Sequence, residues 1–102
     1  MRCLKLNCSQ PARYAVAIKV WTGARHKRLR PLEPILLATS ADVCEFHRKV
    51  ITLMDVLTDD EWNSTCNMIA ASGRERPDRK VAELYFPALD DPLVQAWRRT
   101  LR

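Results

Sequence analysis

Hydrophobic and polar residues alternate along the chain after Pro11. The apolar residues occupy every second position, at Tyr14, Val16, Ile18 and Val20. A period of two predicts a half-buried β-strand over residues 12–21. The short apolar stretch 35–39 follows Pro34 and predicts a returning strand. Together the two stretches predict a β-hairpin with a long connection between its strands.

A helical period begins at residue 42 and predicts a helix over roughly 42–55. Asp42 is followed three residues later by Glu45, which resembles a capping box. Apolar residues then recur three or four positions apart, which predicts a core-facing stripe. This stripe consists of Val43, Phe46, Val50, Leu53 and Leu57.

A second capping box, Thr58 with Glu61, opens another predicted helix that ends before Gly73. Trp62, Cys66 and Ile69 share one face of this helix. Residues 81–86 suit either a helix or a strand.

Asp91 and Pro92 supply an N-cap and an N1 proline for a last helix. Its predicted apolar side carries Leu93, Trp97 and Leu101. We therefore expect one α+β domain over residues 1–102, in which a β-hairpin and helix (1–57) carry a helical extension (58–102) of two or three packed helices.

The charge of the chain is concentrated in its first half. The 102 residues have a formal net charge of +5, but residues 1–50 hold ten Lys and Arg against three acids and residues 51–102 hold seven against nine. A composition of 47% hydrophobic and 28% charged residues is that of a globular protein. The basic character therefore belongs to the half that carries most of the cysteines.

Three of the four cysteines and one of the two histidines form two local pairs, Cys3-x4-Cys8 and Cys44-x2-His47. Structural zinc sites usually take tetrahedral Cys and His ligands as two such pairs. The sequence therefore predicts one structural Zn²⁺ bound by Cys3, Cys8, Cys44 and His47. Three Cys and one His fill the four positions, so we expect no metal-bound water and no catalysis at the metal.

The order of these features, a short cysteine loop, a hairpin and then a helix whose first turn supplies the last two ligands, resembles the treble-clef group of zinc fingers. The segments 8–12 and 43–47, CSQPA and VCEFH, look like its small single-zinc members. The resemblance covers residues 3 to about 55 and implies a fold group and a zinc site, without implying one activity.

Other interpretations of the cysteines stay open at this point. Four cysteines allow two disulfides in a secreted protein, although that leaves the spacing of His47 unexplained. The thiols could also be separate buried groups. His26 and Cys66 are competing ligands, but His26 falls in a basic stretch and Cys66 shares a helical face with Trp62, which favours a solvated histidine and a core thiol.

The predicted hairpin tip carries four cations within six positions, Arg25, Lys27, Arg28 and Arg30, and Trp21 lies just before it. Cations on a hairpin neutralise phosphates and a tryptophan stacks on bases, so the tip predicts a nucleic-acid-binding surface. The alternatives are a solvated loop and a Trp21 that packs under the C-terminal helices.

The second hypothesis for function is an interaction adaptor or inhibitor that binds a protein partner, or a second copy in a homodimer, through the C-terminal helices. Their aromatic residues exceed what a small zinc hairpin needs, although a domain core would also use them. They are Trp62, Tyr85, Phe86 and Trp97. In size and style such a chain resembles small phage or bacterial accessory proteins.

We expect no enzymatic activity, because the chain offers no convincingly placed catalytic histidine, no Ser-His-Asp set and no small-molecule site. No apolar run approaches the ~20 residues of a membrane span. The N-terminus also lacks the apolar region of a secretory signal. We therefore expect an intracellular, cytoplasmic protein with reduced cysteines and no membrane partner.

Overall fold

The computed structural model describes residues 2–23 and 33–100. In these residues the chain has an α+β fold with one three-stranded antiparallel sheet. The strands are β1 (Tyr14–Thr22), β2 (Glu33–Val43) and β3 (Glu83–Tyr85), and the helices are α1 (Leu53–Val56), α2 (Asp59–Ala71) and α3 (Pro92–Thr100). Two 3-10 turns span His47–Lys49 and Arg79–Val81.

Strand β1 is the central strand of the sheet, with β2 on one side and β3 on the other. The predicted strand over 12–21 is confirmed, because Val16, Ile18 and Val20 are fully buried on one face. The returning strand is confirmed and is longer than expected, since pairing with β1 runs from Thr22↔Glu33 to Tyr14↔Val43. The ambiguous stretch 81–86 contributes β3.

Helix α2 covers the face of the sheet that carries the alternating apolar residues. Trp62 and Cys66 of the helix pack with Ile18 and Val20 of β1 in one buried cluster. The predicted capping box is confirmed, with Thr58 Oγ1 accepting from the Glu61 N–H at 3.2 Å and Glu61 Oε1 accepting from the Thr58 N–H at 3.0 Å. Both bonds satisfy donors that the first turn of a helix leaves free.

Helix α3 covers one end of the opposite face. Asp42 lies beside Ala15 in the sheet, and its buried carboxylate forms an ion pair with Arg98 of α3. The start of α3 is confirmed, because Asp91 Oδ1 accepts a hydrogen bond of 2.9 Å from the Leu93 N–H. The predicted apolar side of this helix is wrong in part, since Val94 is fully buried and Leu93 is 49% exposed.

The predicted helix over 42–55 is wrong. Asp42 and Val43 belong to β2, a 3-10 turn follows at His47–Lys49, and the helical part is the single turn Leu53–Val56. Phe46 and Val50 are 67% and 53% exposed, so they do not form a core stripe. Two tertiary interactions outweigh the local helical pattern: the pairing of Val43 with Tyr14 and the ion pair of Asp42 with Arg98.

Candidate metal centre

The loop between Cys3 and Cys8 brings both sulfur atoms to the edge of the sheet. The Leu4 N–H donates to the carbonyl of Asp42 at 2.7 Å, which fixes the loop to the end of β2. The loop closes with a 3.2 Å bond from the Cys8 N–H to the Lys5 carbonyl, and Asn7 adopts a φ of 63°. This left-handed conformation is one that Asn tolerates better than most residues.

The second loop begins where β2 ends, at Cys44. The His47 N–H donates to Cys44 Sγ at 3.3 Å, and the Arg48 N–H donates to the Cys44 carbonyl at 3.1 Å. These bonds turn the chain so that Cys44 and His47 face the same point. The two ligands are therefore placed by a tight turn, where the sequence predicted the first turn of a helix.

The four predicted ligands come together in the structure. Their ligand atoms, three sulfurs and one ring nitrogen, all lie within 4.8 Å of one another. Cys8 Sγ is 3.9 Å from Cys44 Sγ, and His47 Nδ1 is 3.4 Å from Cys3 Sγ and 3.2 Å from Cys44 Sγ. Cys3 and Cys44 are buried, and Cys8 and His47 are half-buried.

These distances fit one tetrahedral ion. Zn–S bonds of about 2.3 Å and Zn–N bonds of about 2.0–2.1 Å imply S···S separations of about 3.8 Å and S···N separations of about 3.6 Å. Three of the separations, 3.9 Å between two sulfurs and 3.4 and 3.2 Å between sulfur and nitrogen, lie within a few tenths of an ångström of these values. The group Cys3, Cys8, Cys44 and His47 could therefore hold one metal ion. Thiolate and imidazole donors favour zinc and other soft or borderline metals over Mg²⁺ and Ca²⁺.

The backbone around the cluster changes the acidity of two of its thiols. The hydrogen bond from the His47 N–H lowers the pKa of Cys44 to about 7. The Gln10 N–H lowers the pKa of Cys8, but burial and the neighbouring thiols of Cys3 and Cys44 outweigh it, so the pKa of Cys8 is raised. Cys44 thus reaches the metal-binding thiolate form more readily than an ordinary cysteine.

Cys66 lies away from this cluster, as the sequence indicated. Its side chain is fully buried among Ile18, Val20 and Trp62, and burial raises the pKa of its thiol. His26 and the four cations of the predicted tip, Arg25, Lys27, Arg28 and Arg30, fall outside the described residues. Trp21, in contrast, is among the described residues. It lies on the face of β1 opposite α2 and pairs with Pro34 of β2.

A cavity of about 450 Å³ opens beside the candidate metal centre. No pattern in the sequence predicted this cavity. Its lining includes Arg13, Phe46 and Lys49 next to Cys44 and His47. Phe46 was assigned to a core stripe because of its spacing, and only the turn after β2 shows that the ring faces solvent. Glu45, which also lines the cavity, is hydrogen-bonded by Tyr14 and Arg48.

No protein-family model, no curated protein and no solved structure matches this chain. The resemblance to treble-clef zinc fingers therefore stays a prediction, and the function must be argued from the site itself. Within residues 2–23 and 33–100, every helix is too short or too polar to cross a lipid bilayer.

Proposed function

We propose that the protein is a non-enzymatic binding module stabilised by one structural Zn²⁺ at Cys3, Cys8, Cys44 and His47. The observation that supports the zinc site is the convergence of four ligand atoms, from two separate loops, to within 4.8 Å of one another. Four protein ligands complete a tetrahedral shell, so the ion keeps no position for a reacting water. The role of the metal is then to hold the first loop against the end of β2.

The ligand of the module is nucleic acid, contacted through the basic connection between β1 and β2. Two observations support this choice. The pairing of Thr22 with Glu33 brings the two ends of the connection together. Arg25, Lys27, Arg28 and Arg30 fall within six sequence positions of this connection. That segment also belongs to the half of the chain with a net charge of +7. Clustered cations release condensed counterions when they neutralise phosphates, which favours binding.

The experiment measures binding of labelled single-stranded and duplex oligonucleotides to the zinc-loaded protein at two salt concentrations. We expect affinity to fall steeply between about 50 and 200 mM salt, since each phosphate contact contributes to the salt dependence. Changing Arg25, Lys27, Arg28 and Arg30 together to Glu should abolish binding.

The matched control changes four exposed cations elsewhere to Glu, which alters the net charge by the same amount. These are Arg2, Arg13, Lys49 and Arg99. The control should keep most of the affinity. Equal losses in the two variants, or an affinity that is independent of salt, would contradict binding through the connection.

An interaction adaptor is the second candidate. Met68 of α2 and Leu93 of α3 are 73% and 49% exposed and leave apolar surface on the helices, whereas Trp62 is buried in the core. A protein ligand would bind without the steep salt dependence, and Met68→Glu or Leu93→Glu would weaken it. The same variants should leave oligonucleotide binding unchanged if the first proposal is right.

A further inference from the structure

One face of the sheet is covered by α2, and most of the other face is open to solvent. Cross-strand pairs share a face, so the pairs of Lys19 with Leu36 and with Glu83, and of Ala17 with Tyr85, define the second face. We call it the open face. Its side chains beyond the Ala17 row are Lys19, Trp21, Pro34, Leu36 and Glu83, with Tyr85 at its border. Helix α3 reaches the far end of this face, at Ala15 and Asp42.

The open face exposes apolar and aromatic surface. Leu36 is 42% exposed and Tyr85 is 50% exposed, although both lie within strands. Trp21 is half-buried and, together with residues 80–83, lines a cavity of about 520 Å³. Tyr85 of β3 stands opposite Ala17, which precedes Trp21 by four residues in β1. The two aromatic residues are therefore about 13 Å apart along the strand direction. The face therefore offers two stacking positions with room beside one of them.

Two cations lie beside the Trp21 ring. Lys19 Nζ lies 5.4 Å from the centroid of the Trp21 ring, and Lys80 lines the cavity beside that ring. Among the described side chains beyond the Ala17 row, the one acid is Glu83, which stands opposite Lys19. The open face also ends next to Gly23, where the basic connection begins in the sequence. The charge of the open face therefore favours an anionic occupant.

We propose that the open face binds single-stranded nucleic acid, with Trp21 and Tyr85 stacking on unpaired bases and Lys19 and Lys80 contacting phosphates. The inference rests on the proposed function and names the form of nucleic acid and the surface that recognises it. Aromatic side chains on a sheet reach the faces of bases only when those bases are unstacked. A duplex hides its base faces, so it can contact only the cations.

The first test measures the affinities of single strands and of the corresponding duplex for the parent protein and for the variants Tyr85→Ala, Trp21→Ala and Trp21→Phe. Loss of one stacked base should weaken single-strand binding by at least about fivefold in each alanine variant. Trp21→Phe keeps a stacking ring and should retain most of the affinity. If Trp21→Ala fails to fold, Tyr85→Ala and Trp21→Phe decide the question, because Tyr85 is already half exposed.

The variants Leu36→Ala and Glu83→Gln distinguish single-stranded nucleic acid from a protein as the ligand of the open face. Leu36 lies on the same face but has no aromatic ring, so its removal should change oligonucleotide affinity by less than about twofold. Glu83→Gln removes the acid that stands opposite Lys19 and should tighten oligonucleotide binding. A protein partner or a second copy would instead lose affinity in Leu36→Ala.

A spectroscopic readout follows from the positions of the three tryptophans. Trp62 is 5% exposed, so in a Trp97→Phe background quenching by bound oligonucleotide reports on Trp21. If bases stack on Trp21, single strands should quench its fluorescence in a saturable manner. Absence of quenching, affinities of Tyr85→Ala within twofold of the parent protein, or equal binding of duplex would overturn the inference.

The two proposals fail in distinguishable ways. If changing Arg25, Lys27, Arg28 and Arg30 abolishes binding while the Tyr85 and Trp21 variants bind normally, the open face is not the site and the basic connection still is. If neither set of variants changes binding, or if no oligonucleotide binds, both proposals are wrong.

Discussion

At Asn7 and Cys44, single residues determine whether the two loops can bring their ligands together. Asn7 adopts a φ of 63° between Cys3 and Cys8, and this left-handed backbone lets the first loop reverse within six residues. Cys44 accepts a hydrogen bond from the His47 N–H, which lowers the pKa of its thiol to about 7. Both features favour the metal-bound arrangement before an ion arrives.

Replacing Asn7 by valine should weaken the metal centre through the backbone alone. A β-branched residue at this φ costs about 1–2 kcal/mol, whereas glycine adopts it without a steric penalty. Asn7 is exposed and ligates nothing, so Asn7→Gly is the matched control. We expect urea unfolding of the zinc-loaded protein to show a loss of about 1–2 kcal/mol for Asn7→Val. Equal stability of the two variants would show that the loop has another conformation.

At the scale of elements, the ion pair between Asp42 and Arg98 joins the end of β2 to α3. The Asp42 side chain is 10% exposed and the Arg98 side chain 26%, and Arg98 Nε is buried without a hydrogen-bond partner among the described residues. Asp42 lies two residues before Cys44 in the sequence. The pair therefore helps to set where the strand ends and the metal-binding turn begins.

Removing one member of this pair should destabilise the protein more than removing both. Arg98→Met leaves a buried carboxylate without its partner and should cost about 3 kcal/mol, at the lower end of the range for buried pairs because Arg98 is partly exposed. The double variant Asp42→Leu with Arg98→Met should recover much of this loss. A double-mutant cycle from urea unfolding measures the coupling, and purely additive losses would mean that the pair does not contribute.

Local patterns predicted the elements whose stabilising interactions are local. The alternation before Trp21 predicted β1, the Thr58 capping box predicted α2, and Asp91 with Pro92 predicted the start of α3. The ligand set was also predictable, because metal chemistry restricts residue type and spacing together. The helix over 42–55 was wrong because the partners that decide its conformation, Tyr14 and Arg98, are distant in the sequence. Nothing in the local pattern indicates the open face, which depends on which face α2 covers.

At the scale of the whole molecule, the described residues hold two buried clusters that share the sheet. One includes Cys3 and Cys44 with Val16, Val43 and Ile51, and the other lies under α2. The candidate metal centre contributes Cys3 and Cys44 to the first cluster and none of its four residues to the second. We therefore expect zinc binding to stabilise the two parts of the molecule unequally.

Chelation of the metal should loosen the first part and leave α2 largely protected. Structural zinc contributes several kcal/mol or more to folding, so its removal should raise amide exchange rates by more than about tenfold in residues 3–8 and 44–51. Hydrogen exchange with and without a chelator measures this by residue. Adding zinc back should restore protection, and an equal loss of protection in α2 would contradict the separation of the clusters.

The central claim is that Cys3, Cys8, Cys44 and His47 bind one zinc ion, and elemental analysis of the purified protein tests it most directly. We expect one Zn²⁺ per chain, loss of stoichiometric zinc in Cys44→Ser, and full retention in the control Cys66→Ala, since Cys66 lies in the core under α2. A parent protein without stoichiometric zinc, or a Cys44→Ser variant that keeps its metal and its stability, would contradict it.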